Sequence, residues 1–168
     1  MLFDRSKSCL VVIDVQQYFL DKLPLDWRAP LVQRIAWLMR LAAALDIPVI
    51  ATAEDIANDG PLVPDLAKEL RPGTIVHDKM IFGLAGQLPI LDDVRRQGRD
   101  ECVLVGLETD VCIAQSAIGL MQEGFRVAVI EDATASPPPH HEAGLRRVAG
   151  AGGVITNCKG IHYEWVRD

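Results

Sequence analysis

The sequence predicts a three-layer α/β fold built on a parallel sheet. Three observations carry that prediction. Short, β-branched apolar runs alternate along the chain with segments whose apolar residues recur at helical spacing. The apolar runs are nearly uninterrupted, as expected of strands buried on both faces. The 168 residues are 49% hydrophobic and 24% charged, a composition that suits one sizeable core. No internal repeat or boundary interrupts the pattern, so residues 1–168 read as a single domain.

The elements follow in order. "SCLVVID" (8–14) is a buried strand that ends in the carboxylate of Asp14. Residues 31–45, "LVQRIAWLMRLAAAL", are an amphipathic helix. "IPVIATA" (47–53) is the second strand, and 54–66 form the longest surface loop. "TIVHDK" (74–79) is a weaker third strand. A helix at 87–97 stops at Gly98. "ECVLVGL" (101–107) is the fourth strand, followed by a helix at 111–123 that stops at Gly124. "FRVAVIED" (125–132) is the fifth strand. A helix at about 140–150 precedes "GVIT" (153–156), the sixth, and 159–167 read as a terminal helix.

Composition excludes some functions. A net charge of −6, with no basic run, argues against nucleic acid or an acidic membrane as the partner. Asp14 interrupts the first apolar stretch, so no export signal is expected there. No apolar run approaches the roughly 20 residues that span a bilayer. The expected location is the cytoplasm. The four cysteines, Cys9, Cys102, Cys112 and Cys158, lie too far apart for a zinc framework or a disulfide scaffold.

In parallel α/β sheets ligands bind beyond the carboxyl ends of the strands. That rule selects Asp14 after strand one, Glu54 and Asp55 after strand two, Lys79 after strand three, 108–112 after strand four, and Asp132 at the end of strand five. Each has an ordinary structural use: a cap, a solvated charge, a small apolar side chain. Their shared edge of the sheet sets them apart. A thiolate is the attacking form of cysteine. A helix start and a nearby ammonium would both stabilise it. A carboxylate could carry its proton to a leaving group. Cys112, Lys79 and Asp14 thus make a nucleophile, an electrostatic tuner and an acid/base for acyl transfer. Glu108 and Asp110 would oppose the anion, so their side chains are expected to point away from the sulfur.

"VVIDVQQYF" (11–19), "HDKMIFG" (77–83) and "VGLETDVCIAQSA" (105–117) resemble, in that order, the three catalytic segments of the isochorismatase-like cysteine hydrolases. That family includes nicotinamidases, N-carbamoylsarcosine amidohydrolases and ureidoacrylate or biuret hydrolases. The resemblance spans about residues 8–160. It implies a six-stranded, Rossmann-like parallel sheet with helices on both faces, and a triad of Asp14, Lys79 and Cys112. It further implies a cis peptide at Leu107–Glu108, with an oxyanion hole from the backbone N–H groups of Glu108 and Cys112. Phe19 aligns with a pocket-lining aromatic, and Phe82 and Ile113 are further pocket residues, with Tyr18 and Ile81 beside them. Homo-oligomers, dimers or larger, are common among such proteins.

The chain departs from nicotinamidases in one respect. Those enzymes hold a metal with an aspartate and histidines, mostly from the region after strand two, and residues 54–66 contain no histidine. The four histidines here, His77, His140, His141 and His162, form no metal-ligand pattern. His77 reads as packing or support, and His140 and His141 as exposed or capping. No metal and no other cofactor are expected. The leading reading is a metal-independent cysteine hydrolase for a C–N bond of a small amide or ureide. The alternatives are a vinyl-ether hydrolase, in which Asp14 protonates the substrate and no thioester forms, and a non-catalytic scaffold. A thiol-redox role is weaker, because no resolving cysteine lies near Cys112 in sequence.

Overall fold

The computed structural model describes residues 1–167. Six strands form one sheet: β1 (Ser8–Ile13), β2 (Val49–Glu54), β3 (Val76–Lys79), β4 (Glu101–Leu107), β5 (Arg126–Ala135) and β6 (Val154–Thr156). Their order is β3-β2-β1-β4-β5-β6, and every neighbouring pair is parallel. The helices are α1 (Gln17–Leu20), α2 (Leu25–Ala44), α3 (Ile56–Asp59), α4 (Pro64–Ala67), α5 (Leu88–Arg96), α6 (Ala114–Gln122), α7 (His141–Gly150) and α8 (Cys158–Val166).

Alternation along β1 explains the three layers. Successive strand side chains point to opposite faces. Leu10 and Val12 pack with Ile35, Leu38 and Met39 of α2 and Ile161 and Trp165 of α8. Cys9, Val11 and Ile13 pack on the other face with Ile90 and Val94 of α5, Leu120 of α6 and Val148 of α7. Burying each such aliphatic side chain is worth about 1.5–3 kcal/mol, so both faces of β1 must be apolar.

Several boundaries differ from the sequence reading. Helix α2 starts six residues before the predicted Leu31 and runs through Pro30. Proline removes one backbone donor, and the apolar face beyond it compensates. The predicted loop at 54–66 contains the short helices α3 and α4. Asp14 does not continue β1; it takes a left-handed conformation with φ of 52°. That geometry costs a residue with a Cβ about 1–2 kcal/mol, and aspartate is among the few that adopt it.

The chain leaves β1 toward β2 and β3 on one side, then returns to place β4 on the other. The carboxyl ends of β1 and β4 flank this reversal of strand order, where open α/β sheets place their ligands. Among the described residues no helix is long and apolar enough to cross a membrane.

Candidate active site

Asp14, Glu54, Lys79 and Cys112 meet at that reversal. Asp14 leaves β1 wholly buried. Its Oδ1 accepts from the Thr52 hydroxyl at 2.7 Å. Its Oδ2 lies 2.9 Å from Lys79 Nζ but has no directed hydrogen-bond donor, which leaves it open to a proton. Burial pushes the Asp14 carboxyl up from its ordinary range, more than Lys79 and the Thr52 hydroxyl pull it down.

Lys79 ends β3 and is also fully buried. Its ammonium donates to Ile81 O at 2.7 Å, to Glu54 Oε2 at 3.0 Å, to Phe82 O at 3.2 Å and to Cys112 Sγ at 3.7 Å. Burial pushes Lys79 down, but Asp14 and then Cys112 and Glu54 more than offset this, and the net shift is upward. The lysine is a permanent cation.

Cys112 sits in a π-helical turn, Thr109–Ile113, that runs into α6. The wide turn shows in Ile113 N donating to Glu108 O at 3.1 Å. Two supports hold it, one from the residue that follows β5 and one from α7. Ser136 Oγ donates to Asp110 Oδ1 at 2.6 Å. Thr109 Oγ1 and His141 Nδ1 hydrogen-bond at 2.7 Å. Gly144 of α7 lies so close that a Cβ there would sit 2.7 Å from Asp110 Cα. His141, expected to be exposed or capping, instead braces the Cys112 turn, and burial lowers its basicity.

Burial and a second carboxylate oppose the predicted thiolate. The Cys112 thiol donates to Glu54 Oε2 at 3.1 Å. Burial first, then the Asp14 charge, push the thiol far up; Lys79 opposes them and Glu54 adds to them. The lysine and the helix start favour the anion, and the burial and the second carboxylate act against it. Alkylation of Cys112 by iodoacetamide is therefore expected to keep accelerating beyond about pH 9, past an ordinary thiol near 8.5. Peptide mass spectrometry gives the rates; a plateau already reached at pH 6 would mean a preformed anion.

Leu107–Glu108 is a cis peptide. Glu108 points toward the segment after α1, with Oε1 3.7 Å from Lys22 Nζ. Neither Glu108 nor Asp110 is a hydrogen-bond partner of the Cys112 sulfur.

A cleft of about 290 Å³ opens over Cys112, lined by Tyr18, Phe19, Phe82, Glu54, Glu108 and Val111 among others. Phe19 is both cleft wall and core. Ile113 does not line it; its side chain is fully buried in the core, and Val111 stands at the cleft instead. Met80 and Ile81 are exposed on the surface, and neither lines the cleft. His77 pairs with Asp93 at 2.7 Å. A larger concavity of about 710 Å³ lies between α2 and α8. Its thiol, Cys158, is pushed up to about 12 by burial and by Asp132, with no buried lysine beside it.

Asp14, Glu54 and Cys112 present atoms within 4.8 Å of one another, a spacing that suits a metal. The Lys79 ammonium already contacts all three, so a metal ion would have to displace it.

A Rossmann-like parallel sheet with a buried thiol, lysine and carboxylate at its switch point defines a class: three-layer α/β/α folds with a polar cluster at the carboxyl ends of the strands. Residues 8–159 match the isochorismatase domain, and the chain belongs to the isochorismatase family. It is 28% identical to the secreted isochorismatase effector Isc1 of Phytophthora sojae, over 96% of this chain and 78% of that one. YcaC from Pseudomonas aeruginosa, solved with hexane-2,5-diol and covalent acrylamide, superposes with a TM-score of 0.90 at 24% identity, covering 99% of this chain and 84% of that one. YcaC of Escherichia coli, described as an octameric hydrolase of unknown specificity, also gives 0.90, at 23% identity, covering 100% and 83%.

Proposed function

We propose that this chain is a metal-independent cysteine hydrolase that cleaves a C–N bond of a small amide or ureide through a thioester on Cys112. One observation carries the reading: the Cys112 thiol, the Lys79 ammonium and the Asp14 carboxylate share a buried cluster that opens on a small cleft. Asp14 takes the thiol proton as Cys112 attacks the carbonyl. The Lys79 cation stabilises the thiolate as it forms. The backbone N–H groups of Glu108 and Cys112 are the proposed oxyanion donors. Asp14 then gives the proton to the leaving nitrogen, and water cleaves the thioester. A neutral resting thiol fits this order, because the nucleophile is made only as it is used.

The cleft volume and its aromatic walls favour a small substrate. An assembly of copies is part of the proposal, as in the octameric relative.

A screen of small amides and ureides for ammonia release tests the reading. Cys112→Ala and Asp14→Asn are each expected to lower turnover at least roughly a hundredfold. A second reading, vinyl-ether hydrolysis with Asp14 as the acid, is favoured by the raised Asp14 carboxyl. It predicts that Cys112→Ala keeps much of its activity while Asp14→Asn does not. Turnover of neither substrate class would leave the scaffold reading.

A further inference from the structure

The mechanism above uses one carboxylate, and the cluster contains two. Glu54 ends β2, the strand beside β1. Its Oε2 accepts from both Cys112 Sγ and Lys79 Nζ, at 3.1 and 3.0 Å. Its backbone is clamped by the fully buried Gln16. Gln16 Oε1 accepts from Glu54 N at 2.7 Å, and Gln16 Nε2 donates to Glu54 O and Gly60 O, each at 2.7 Å. Gln16 lies two residues after Asp14, so one short segment fixes both carboxylates.

The two carboxylates differ in what they can reach. Asp14 lies deeper: its carboxylate comes within 4.8 Å of the Cys112 sulfur, but the residue is fully buried and does not line the cleft. The Glu54 side chain is 17% exposed and lines the cleft beside Cys112. A water that enters to attack an acyl group on the sulfur meets Glu54.

We propose that Glu54 is a catalytic residue, the base that activates the hydrolytic water when the Cys112 thioester breaks down. The assignment rests on the thioester reading. Acylation removes the thiol hydrogen, so Glu54 Oε2 is released to accept from a water in the same place. That water gives one proton to Glu54 as its oxygen bonds to the acyl carbon. The C–S bond breaks, and its electron pair leaves on sulfur. Glu54 returns the proton to the thiolate. The sum is thioester plus water giving carboxylic acid plus thiol, with both side chains restored.

p-Nitrophenyl acetate separates the two half-reactions, because nitrophenolate leaves without being protonated. Nitrophenolate release would be followed by stopped flow, and acetylation of Cys112 by peptide mass spectrometry. Glu54→Gln is expected to keep the acylation phase within about tenfold. It should slow steady-state release at least about a hundredfold and accumulate acetyl-Cys112. Glu54→Asp should recover part of the loss. Equal loss of both phases would reduce Glu54 to a positioning group, and no loss in either would remove it. Accumulation of acetyl-Cys112 in Asp14→Asn but not in Glu54→Gln would transfer the role to Asp14. If the wild-type protein shows neither turnover nor acetylation of Cys112, the thioester reading itself falls, and this assignment with it.

Discussion

Lys79→Met is expected to lower the thermal midpoint by roughly 6–20 °C and to reduce turnover at least about a hundredfold. Methionine approximates the stem of lysine but leaves two carboxylates and a thiol without their cation. Removing one partner of a buried ion pair costs about 3–5 kcal/mol. For a chain of this size each kcal/mol moves the midpoint about 2–4 °C. The loss should also depend on pH. Burial already raises the Asp14 carboxyl, and losing Lys79 raises it further. The native state then holds a proton that the unfolded state has released. Stability therefore falls as pH rises from the ordinary aspartate range through that raised value. Melts at pH 5 and pH 8 should show the larger deficit at pH 8. A Lys79→Met protein melting within about 2 °C of wild type at both would mean that the cation is not what holds the cluster together.

Gly106→Ala is expected to be the most damaging single-methyl change in the sheet, destabilising by about 4 kcal/mol or more. Most substitutions cost about 0.5–3 kcal/mol. Gly106 has a φ of 121°, which a side chain disfavours. It is also the register partner of Ile13, and a Cβ there would overlap the Ile13 carbonyl oxygen. Neither strand can yield easily, because β1 is paired on both sides. Any displacement moves Asp14 on one strand and the Glu108–Cys112 turn on the other. Denaturant unfolding measures the loss; a midpoint near wild type would show that the strands accommodate the methyl group.

The fold was readable because its strands are continuous apolar runs with turn residues between them, and this pattern survives without knowledge of neighbours. The family signature brought Asp14, Lys79 and Cys112 together in the same way. Glu54 was visible at the right sheet edge but carried no distinguishing pattern, and its importance comes from a clamp by Gln16, which lies 38 positions away in sequence. His141 and Gly144 escaped for the same reason: their work is done across α7 and the nucleophile turn. Gly106 permits the close approach of two strands, a duty that shows only in its contact with Ile13. Ile113 was placed at the cleft from sequence adjacency to Cys112; the π-helical turn sends it to the core. The environment that pushes the Cys112 thiol up comes from burial and from a second carboxylate, and neither is written locally.

The switch-point topology also sets a timetable. A chain is made from its N-terminus, at about 5–20 residues per second. Asp14, Glu54 and Lys79 all belong to the half of the sheet that emerges first, and Cys112 follows Lys79 by 33 residues. Until β4 docks beside β1, that half lacks both its inner neighbour and its sulfur. Cys112 is thus made after its three charged neighbours, and the residues that brace its turn, Ser136 and His141, are synthesised later still.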